Sequence, residues 1–384
     1  MQFEFATAKS IVFGAGTVAQ VGSNSKNFGR RALVVTGNHP QRAEKLLASL
    51  SANGIGEAIF AVAGEPEIAT VEQGTAFARK ENCDFVISIG GGSVIDAGKA
   101  IAAMLTNSGS LPDYLEIIGP GKPLTKPSAP FVAIPTTAGT GSEVTRNAVL
   151  ASPERKVKVS LRSRLMIPTV AVVDPELTYA LPPALTASTG LDALTQLIEP
   201  LVCSRANPLT DGFCVEGIPR AARSLRAAFT DGKNKAARED MAVASLFSGL
   251  ALANAGLGAV HGFAGPIGGM FPAPHGAICA ALLPHVMAAN LRALREREPR
   301  SFALTRYDRV ATLLTNNQNA TADAGVEWVR QLVADLQIPR LGTYGISVEH
   351  VAGLVEKATR ASSMQANPIA LTPAELAETL RLAL

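Results

Sequence analysis

The chain has 384 residues, enough for two domains, and 47% are hydrophobic against 17% charged, a globular composition with material for a large core. Lys and Arg number 35 against 32 Asp and Glu, spread along the chain for a net charge of +3, and aromatics are 5%, so nucleic-acid binding is not expected. The opening MQFEFAT lacks a basic start followed by an apolar run, and no stretch approaches about 18 uninterrupted apolar residues, so neither a secretory signal nor a membrane span is expected and the chain is read as cytoplasmic.

In the first half, short β-rich runs alternate with helical patterns. Arg31–Thr36 reads as a buried strand, 41–53 as a helix through Ala43, Leu46, Leu47 and Leu50, Ala58–Val62 as a strand, and 68–82 as a helix. Asp84–Ile89 is a third strand ending at Gly90-Gly91-Gly92, and Phe131–Ile134 and Val170–Val173 follow in the same style. Strands alternating with helices predict a parallel sheet covered on both faces. After about Leu181 the texture becomes Ala- and Leu-rich with helical spacing, as in 184–198, 209–229, 235–255, 326–336 and 348–358. The expected organisation is an α/β domain over 1–181 and an all-α domain over 182–384. Cys83, Cys203, Cys214 and Cys279 form no CxxC pair, which argues against a disulfide framework or a Cys-based zinc site.

Gly91, Gly92 and Ser93 follow a strand and precede a helix-like run. Glycines let a phosphate approach the backbone, and a helix N-terminus offers free N–H groups and the positive end of its dipole. The position, at the C-terminal end of a parallel strand, is where ligands of such sheets bind. Asp96 and Lys99 in the first turns are either a local surface pair or ligand contacts. A second loop, IPTTAGTGSEVT over 134–145, is dense in hydroxyls and small residues suited to phosphate, ribose or carboxamide.

Of five histidines, His261 and His275 flank a Gly/Pro-rich stretch where two imidazoles near helix ends around a loop could converge on a metal. Asp192 and Gln196 lie one turn apart, on a helix read as capped near Ser188 or Thr189. One Asp with two His is a reasonable ligand set for Fe(II) or Zn(II).

VFGAGT (12–17), GGGSVIDAGKA (90–100), IPTTAGTGSEVT (134–145), DPELT (174–178), STGLDALTQ (188–196), VHGFAGPIG (260–268), PHG (274–276) and ASSMQANP (361–368) together resemble the iron-containing (group III) alcohol dehydrogenases. The resemblance implies a dehydroquinate-synthase-like fold with an N-terminal dinucleotide-binding domain, a C-terminal helical domain and an active site in the cleft between them. It implies hydride transfer between NAD(P)(H) and a small alcohol or aldehyde, with a divalent metal polarising the substrate oxygen. Carried over by position, Gly91, Gly92 and Ser93 bind the pyrophosphate, and Thr136, Thr137, Thr145, Lys158 and Leu177 line the rest of the cofactor; Asp96, from the reading of the loop itself, is placed among the cofactor contacts. Asp192, His261 and His275 match three of four metal ligands and serve the chemistry. The fourth, a His in the family, is Gln196 here, and Gly265 replaces a further His near the substrate. An amide is a weaker ligand for late divalent metals than imidazole. A metal bound with lower affinity, a hydrogen bond from Gln196 to substrate without metal, and loss of dehydrogenase activity therefore stay open. After the first strand, Gly37 and Asn38, with His39 and Arg42 nearby, present no carboxylate to a ribose 2′-hydroxyl, which favours NADP(H) over NAD(H). Reduction of a carbonyl acid, as by maleylacetate reductases, and nucleotide binding without turnover are the alternatives. A homodimer is expected.

Overall fold

A computed structural model describes residues 2–155 and 157–384. The chain falls into two compact units: Ala6–Thr137 with Gly141–Tyr179, and Ala180–Leu384 with Met1–Phe5 and Ala138–Thr140.

The first unit contains β1 (Ser10–Phe13), α1 (Val21–Ser25), β2 (Arg31–Thr36), α2 (Glu44–Ala52), β3 (Gly56–Ala61), α3 (Ile68–Lys80), β4 (Phe85–Gly90), α4 (Gly92–Thr106), β5 (Phe131–Pro135), β6 (Asn147–Ser152), β7 (Val157–Arg162) and β8 (Val170–Val173). Among the described residues, six strands form one parallel sheet in the order β1-β8-β5-β4-β2-β3. Side chains alternate between two cores. Leu33, Val35, Val86, Phe131 and Ala133 point to one face, and Ala32, Val34, Phe85, Ile87, Val132 and Ile134 to the other. A strand buried on both faces reads as a continuous apolar run, which is why β2, β4, β5 and β8 were legible from pattern. The structure adds three strands. β1 is a short, partly exposed edge strand, and β6 and β7 form an antiparallel hairpin whose residues alternate between core and partial exposure.

The strand order matters for function. β2 leads out to β3, and α3 carries the chain back across to β4 on the other side of β2. The order therefore reverses between β2 and β4, and the crevice at the C-terminal ends of such a pair is where open α/β sheets bind ligands. Gly98 lets α4 lie close on the sheet there: a Cβ at this position would sit 1.9 Å from Ser88 Oγ of β4. Asp174, just after β8, accepts hydrogen bonds from the backbone N–H groups of Gly16, Val18 and Glu176 at 3.0–3.1 Å. The VFGAGT and DPELT motifs thus meet in one structural knot, at a turn where Gly14 and Gly16 have φ of 143° and 78°.

Among its described residues, the second unit forms only helices as regular structure: α5 (Pro183–Val202), α6 (Pro208–Thr230), α7 (Lys235–Asn254), α8 (Ala259–Met270), α9 (His275–Arg297), α10 (Phe302–Thr315), α11 (Ala322–Asp335), α12 (Val351–Thr359) and α13 (Pro373–Ala383), with short 3₁₀ turns. α5 packs against α6, α7 and α9 and buries most of its surface. Helix α9 has the length and composition of a membrane span, but 83% of its apolar window is buried inside the protein, as expected for a core helix. Two small segments join this unit. Phe5 stacks on Phe213 with centroids 5.8 Å apart, and Ala138 lies in the helical core, with the Gly139 carbonyl accepting from Ser248 Oγ at 3.3 Å.

Candidate functional site

Asp192 lies in the middle of α5, with Gln196 one turn on and Glu199 almost another turn along the same face. The expected cap at Ser188 or Thr189 is corrected: α5 begins two turns earlier, and both hydroxyls donate back to the Leu185 carbonyl at 3.2 and 2.8 Å. Asp192 is consequently buried rather than placed near an open helix end. His261 occupies the first turn of α8, and His275 is the first residue of α9. Most of the Gly/Pro-rich stretch between them is helical, because Val260, Phe263 and Ile267 anchor it in the core.

These residues converge. Asp192 Oδ1 lies 3.4 Å from His261 Nε2 and 3.6 Å from His275 Nε2. Cys279, one turn after His275 on α9, places Sγ 3.8 Å from His261 Nε2 and 3.7 Å from His275 Nε2. All four ligand atoms lie within 4.8 Å of one another. On the far side of its ring, His261 Nδ1 is 2.6 Å from Glu199 Oε2, while Glu199 Oε1 accepts from the Val260 N–H at 2.8 Å. A carboxylate behind a ligating imidazole fixes its tautomer and aims its other nitrogen. Gln196 is buried, and its Oε1 lies 3.3 Å from Ser248 Oγ.

The electrostatics suit a cation. Burial pushes the Asp192 carboxyl up, but His275, His261 and Gln196 outweigh it and hold its pKa at about 2. Burial lowers the His261 and His275 imidazoles, yet Cys279 and the neighbouring carboxylates hold both above the usual imidazole range. Asp192 Oδ1 is buried without a hydrogen bond of normal geometry. With Nδ1–H of His261 donated to Glu199, the Nε2 lone pair faces that oxygen, so a proton or a metal cation must lie between them. The donor set and the orphaned oxygen fit a divalent metal.

The Gly91–Ser93 loop, expected from sequence to receive pyrophosphate, follows β4 at the β2/β4 reversal. Gly91 is the N-cap of α4 and contributes no side-chain cap, and Gly92 and Ser93 begin the helix, whose first N–H groups have no intrahelical partner. Thr136 and Thr137 directly follow the adjacent strand β5, and a Cβ at Gly91 would touch only the Thr137 side chain at 3.5 Å, an ordinary contact. With φ of −73° at Gly91, a side chain there is compatible with the fold and would enter the loop itself. We therefore expect Gly91→Val to fold normally and to raise the dissociation constant of the nicotinamide cofactor at least ~10-fold, or ~1.4 kcal/mol, by calorimetric titration. Unchanged affinity in the folded variant would remove the loop from the cofactor site.

The comparisons with known proteins now bear on both sites. Residues 8–175 match the family model described as iron-containing alcohol dehydrogenase, and residues 186–384 match that of the C-terminal region of the Fe-containing alcohol dehydrogenase family. The chain belongs to the iron-containing alcohol dehydrogenase family. It is 36% identical to the 1,3-propanediol dehydrogenase of Citrobacter freundii over 99% of this chain and 98% of that one. It is 37% identical to alcohol dehydrogenase 4 of Schizosaccharomyces pombe, over 95% of this chain and 85% of the relative. A solved structure of 1,3-propanediol oxidoreductase superposes with a TM-score of 0.93 at 36% identity, covering 100% of both chains. This iron-containing alcohol dehydrogenase is accordingly an oxidoreductase of alcohols, with the fold expected from sequence.

The other positions expected at the cofactor or substrate lie elsewhere in the two units. Gly37 and exposed Asn38 follow β2, with Gly37 packed toward Val94 of α4. Asp96 and Lys99 are both buried, which corrects the surface-pair reading. Asp96 Oδ2 accepts from the Val149 N–H at 3.0 Å, and Lys99 Nζ donates to the Ser142 carbonyl, Thr145 Oγ1 and the Asn147 carbonyl at 2.8–2.9 Å. The pair clamps the β6 hairpin and the second loop onto α4, and commits the Thr145 hydroxyl to that clamp. Lys158 on β7 pairs with Glu65 at 2.6 Å, and Leu177 lies half-buried in the turn after β8. Gly265 is exposed, with open space where a Cβ would point. Two residues of the metal cluster were missed from sequence. Glu199 is seven residues after Asp192, and Cys279 four after His275; both spacings return to one helix face and could have been read. Cys279, which sequence reasoning set aside for want of a CxxC pair, places its sulfur among these candidate ligand atoms.

Proposed function

We propose that this enzyme interconverts a short primary alcohol or diol and its aldehyde, with NADP(H) as the preferred nicotinamide partner. The reaction balances as alcohol plus oxidised cofactor giving carbonyl, reduced cofactor and one proton. The observation that carries the proposal is the convergence of Asp192, His261 and His275 around an orphaned carboxylate oxygen in a chain of this family. Asp192, His261 and His275 would hold the metal, which when bound supplies Lewis-acid polarisation of the substrate oxygen and stabilises developing alkoxide charge. Glu199 keeps His261 in the tautomer that presents Nε2, and the buried surroundings of Asp192 keep its charge undiluted by water. Gly91 to Ser93 receive the pyrophosphate at the α4 N-terminus. The test is NADPH oxidation against a panel of aldehydes with and without added Fe(II) or Zn(II). No aldehyde-dependent oxidation under any metal condition would overturn the proposal.

The cofactor preference rests on the end of β2. Gly37 leaves room, and exposed Asn38, His39 and Arg42 offer donors but no carboxylate to repel a 2′-phosphate. Gly37→Asp should shift the ratio of kcat/KM for NADPH over NADH toward NADH by about 10-fold or more, as expected for a ~1.4 kcal/mol charge effect. A ratio that stays put would take Gly37 away from the ribose.

A further inference from the structure

We propose that Cys279 is the fourth protein ligand of the metal centre, replacing the histidine for which this chain has Gln196, and that its sulfur adapts the site to zinc. The inference rests on the metal reading above but not on the identity of the substrate. Three observations carry it. First, Cys279 Sγ lies 3.7 and 3.8 Å from the two imidazole Nε2 atoms, and Asp192 Oδ1 lies 3.4 and 3.6 Å from the same atoms. Tetrahedral zinc with bonds of about 2.0–2.3 Å holds neighbouring ligand atoms about 3.3–3.6 Å apart, so these four separations are near those of a ligand shell, and the remaining two are within 4.8 Å. Second, Asp192 Oδ1 is buried, aimed into this cluster and lacks a hydrogen bond, so the site is short of a positive charge rather than of an acceptor. Third, the Gln196 amide oxygen is turned toward Ser248 Oγ, at 3.3 Å. The soft donor thus comes from another helix, α9.

The chemistry follows from the donor type. A sulfur, two imidazoles and one carboxylate form a borderline-soft set that suits zinc and disfavours magnesium or manganese, which prefer all-oxygen shells. The thiol proton and any proton held on the cluster's imidazole Nε2 atoms leave to solvent as the metal binds, so no oxidant or reductant takes part.

Cobalt(II) reports the bond directly. Full-length protein loaded with Co(II) should show the near-ultraviolet thiolate-to-cobalt charge-transfer band. Cys279→Ser should lose that band while keeping the visible bands of bound cobalt, and should bind Zn(II) at least ~10-fold more weakly. Cys203→Ser and Cys214→Ser should keep the band. X-ray absorption of zinc-loaded wild type needs no variant and should show one sulfur scatterer at about 2.3 Å. Cobalt bound without charge transfer, a band that survives Cys279→Ser, or a zinc shell of nitrogen and oxygen alone would each overturn the assignment. The two readings fail separately. Sulfur ligation without aldehyde reduction would refute the proposed reaction and leave Cys279 as ligand, whereas reduction with no sulfur in the shell would refute Cys279 alone.

Discussion

Asp192→Ala should lower kcat/KM for aldehyde reduction by at least ~10³-fold, because a metal supplies several kcal/mol of charge stabilisation to such a reaction. Asp192 is the carboxylate of the cluster facing both imidazoles, and its pKa of about 2 keeps it charged at neutral pH. Without it the remaining donors are His261, His275 and Cys279, and the positive charge of a divalent ion is less well matched. Elemental analysis of the variant should show metal well below one ion per chain. The isosteric Asp192→Asn keeps the packing and removes the charge, so it should resemble Asp192→Ala in metal content and turnover. Wild-type metal content together with wild-type turnover in either variant would show that the carboxylate is not part of the centre.

Glu199→Ala should have two effects, one on the metal and one on the fold. Loss of an orienting partner behind a ligating histidine weakens metal binding about 10–100-fold, measurable by competition with a coloured chelator. The same substitution leaves the Val260 N–H and the His261 ring nitrogen buried without an acceptor, at a cost of about 2–4 kcal/mol in a urea melt. Glu199→Gln retains a single acceptor oxygen and should recover part of the stability but little of the metal affinity. Unchanged affinity in both variants would reduce Glu199 to a purely structural role.

Much of this molecule was legible because its signals are local. β2, β4, β5 and β8 announce themselves as apolar runs, since a strand covered on both faces has no polar side to interrupt it. α5, α6 and α7 were readable from helical spacing, and the family from motifs spread over the whole chain. The β6–β7 hairpin escaped because half-buried strands with Lys, Ser and Arg on one face resemble surface loop. α8 escaped because its glycines and proline argue against a helix, and only core contacts of Val260, Phe263 and Ile267 override that preference.

The sequence by itself determined the fold class, the oxidoreductase family and the identities of Asp192, His261 and His275, because each of these is carried by residue type and order. Tertiary structure alone decided what those residues meet. It buries Asp96 and Lys99 as a clamp, turns the Gln196 oxygen toward Ser248, sets Glu199 behind His261, and brings Cys279 to within 3.8 Å of both imidazoles. Side chains distant along the chain become neighbours only when α5, α8 and α9 pack, and spacing within any one helix cannot reveal which faces of the three helices turn toward a common point.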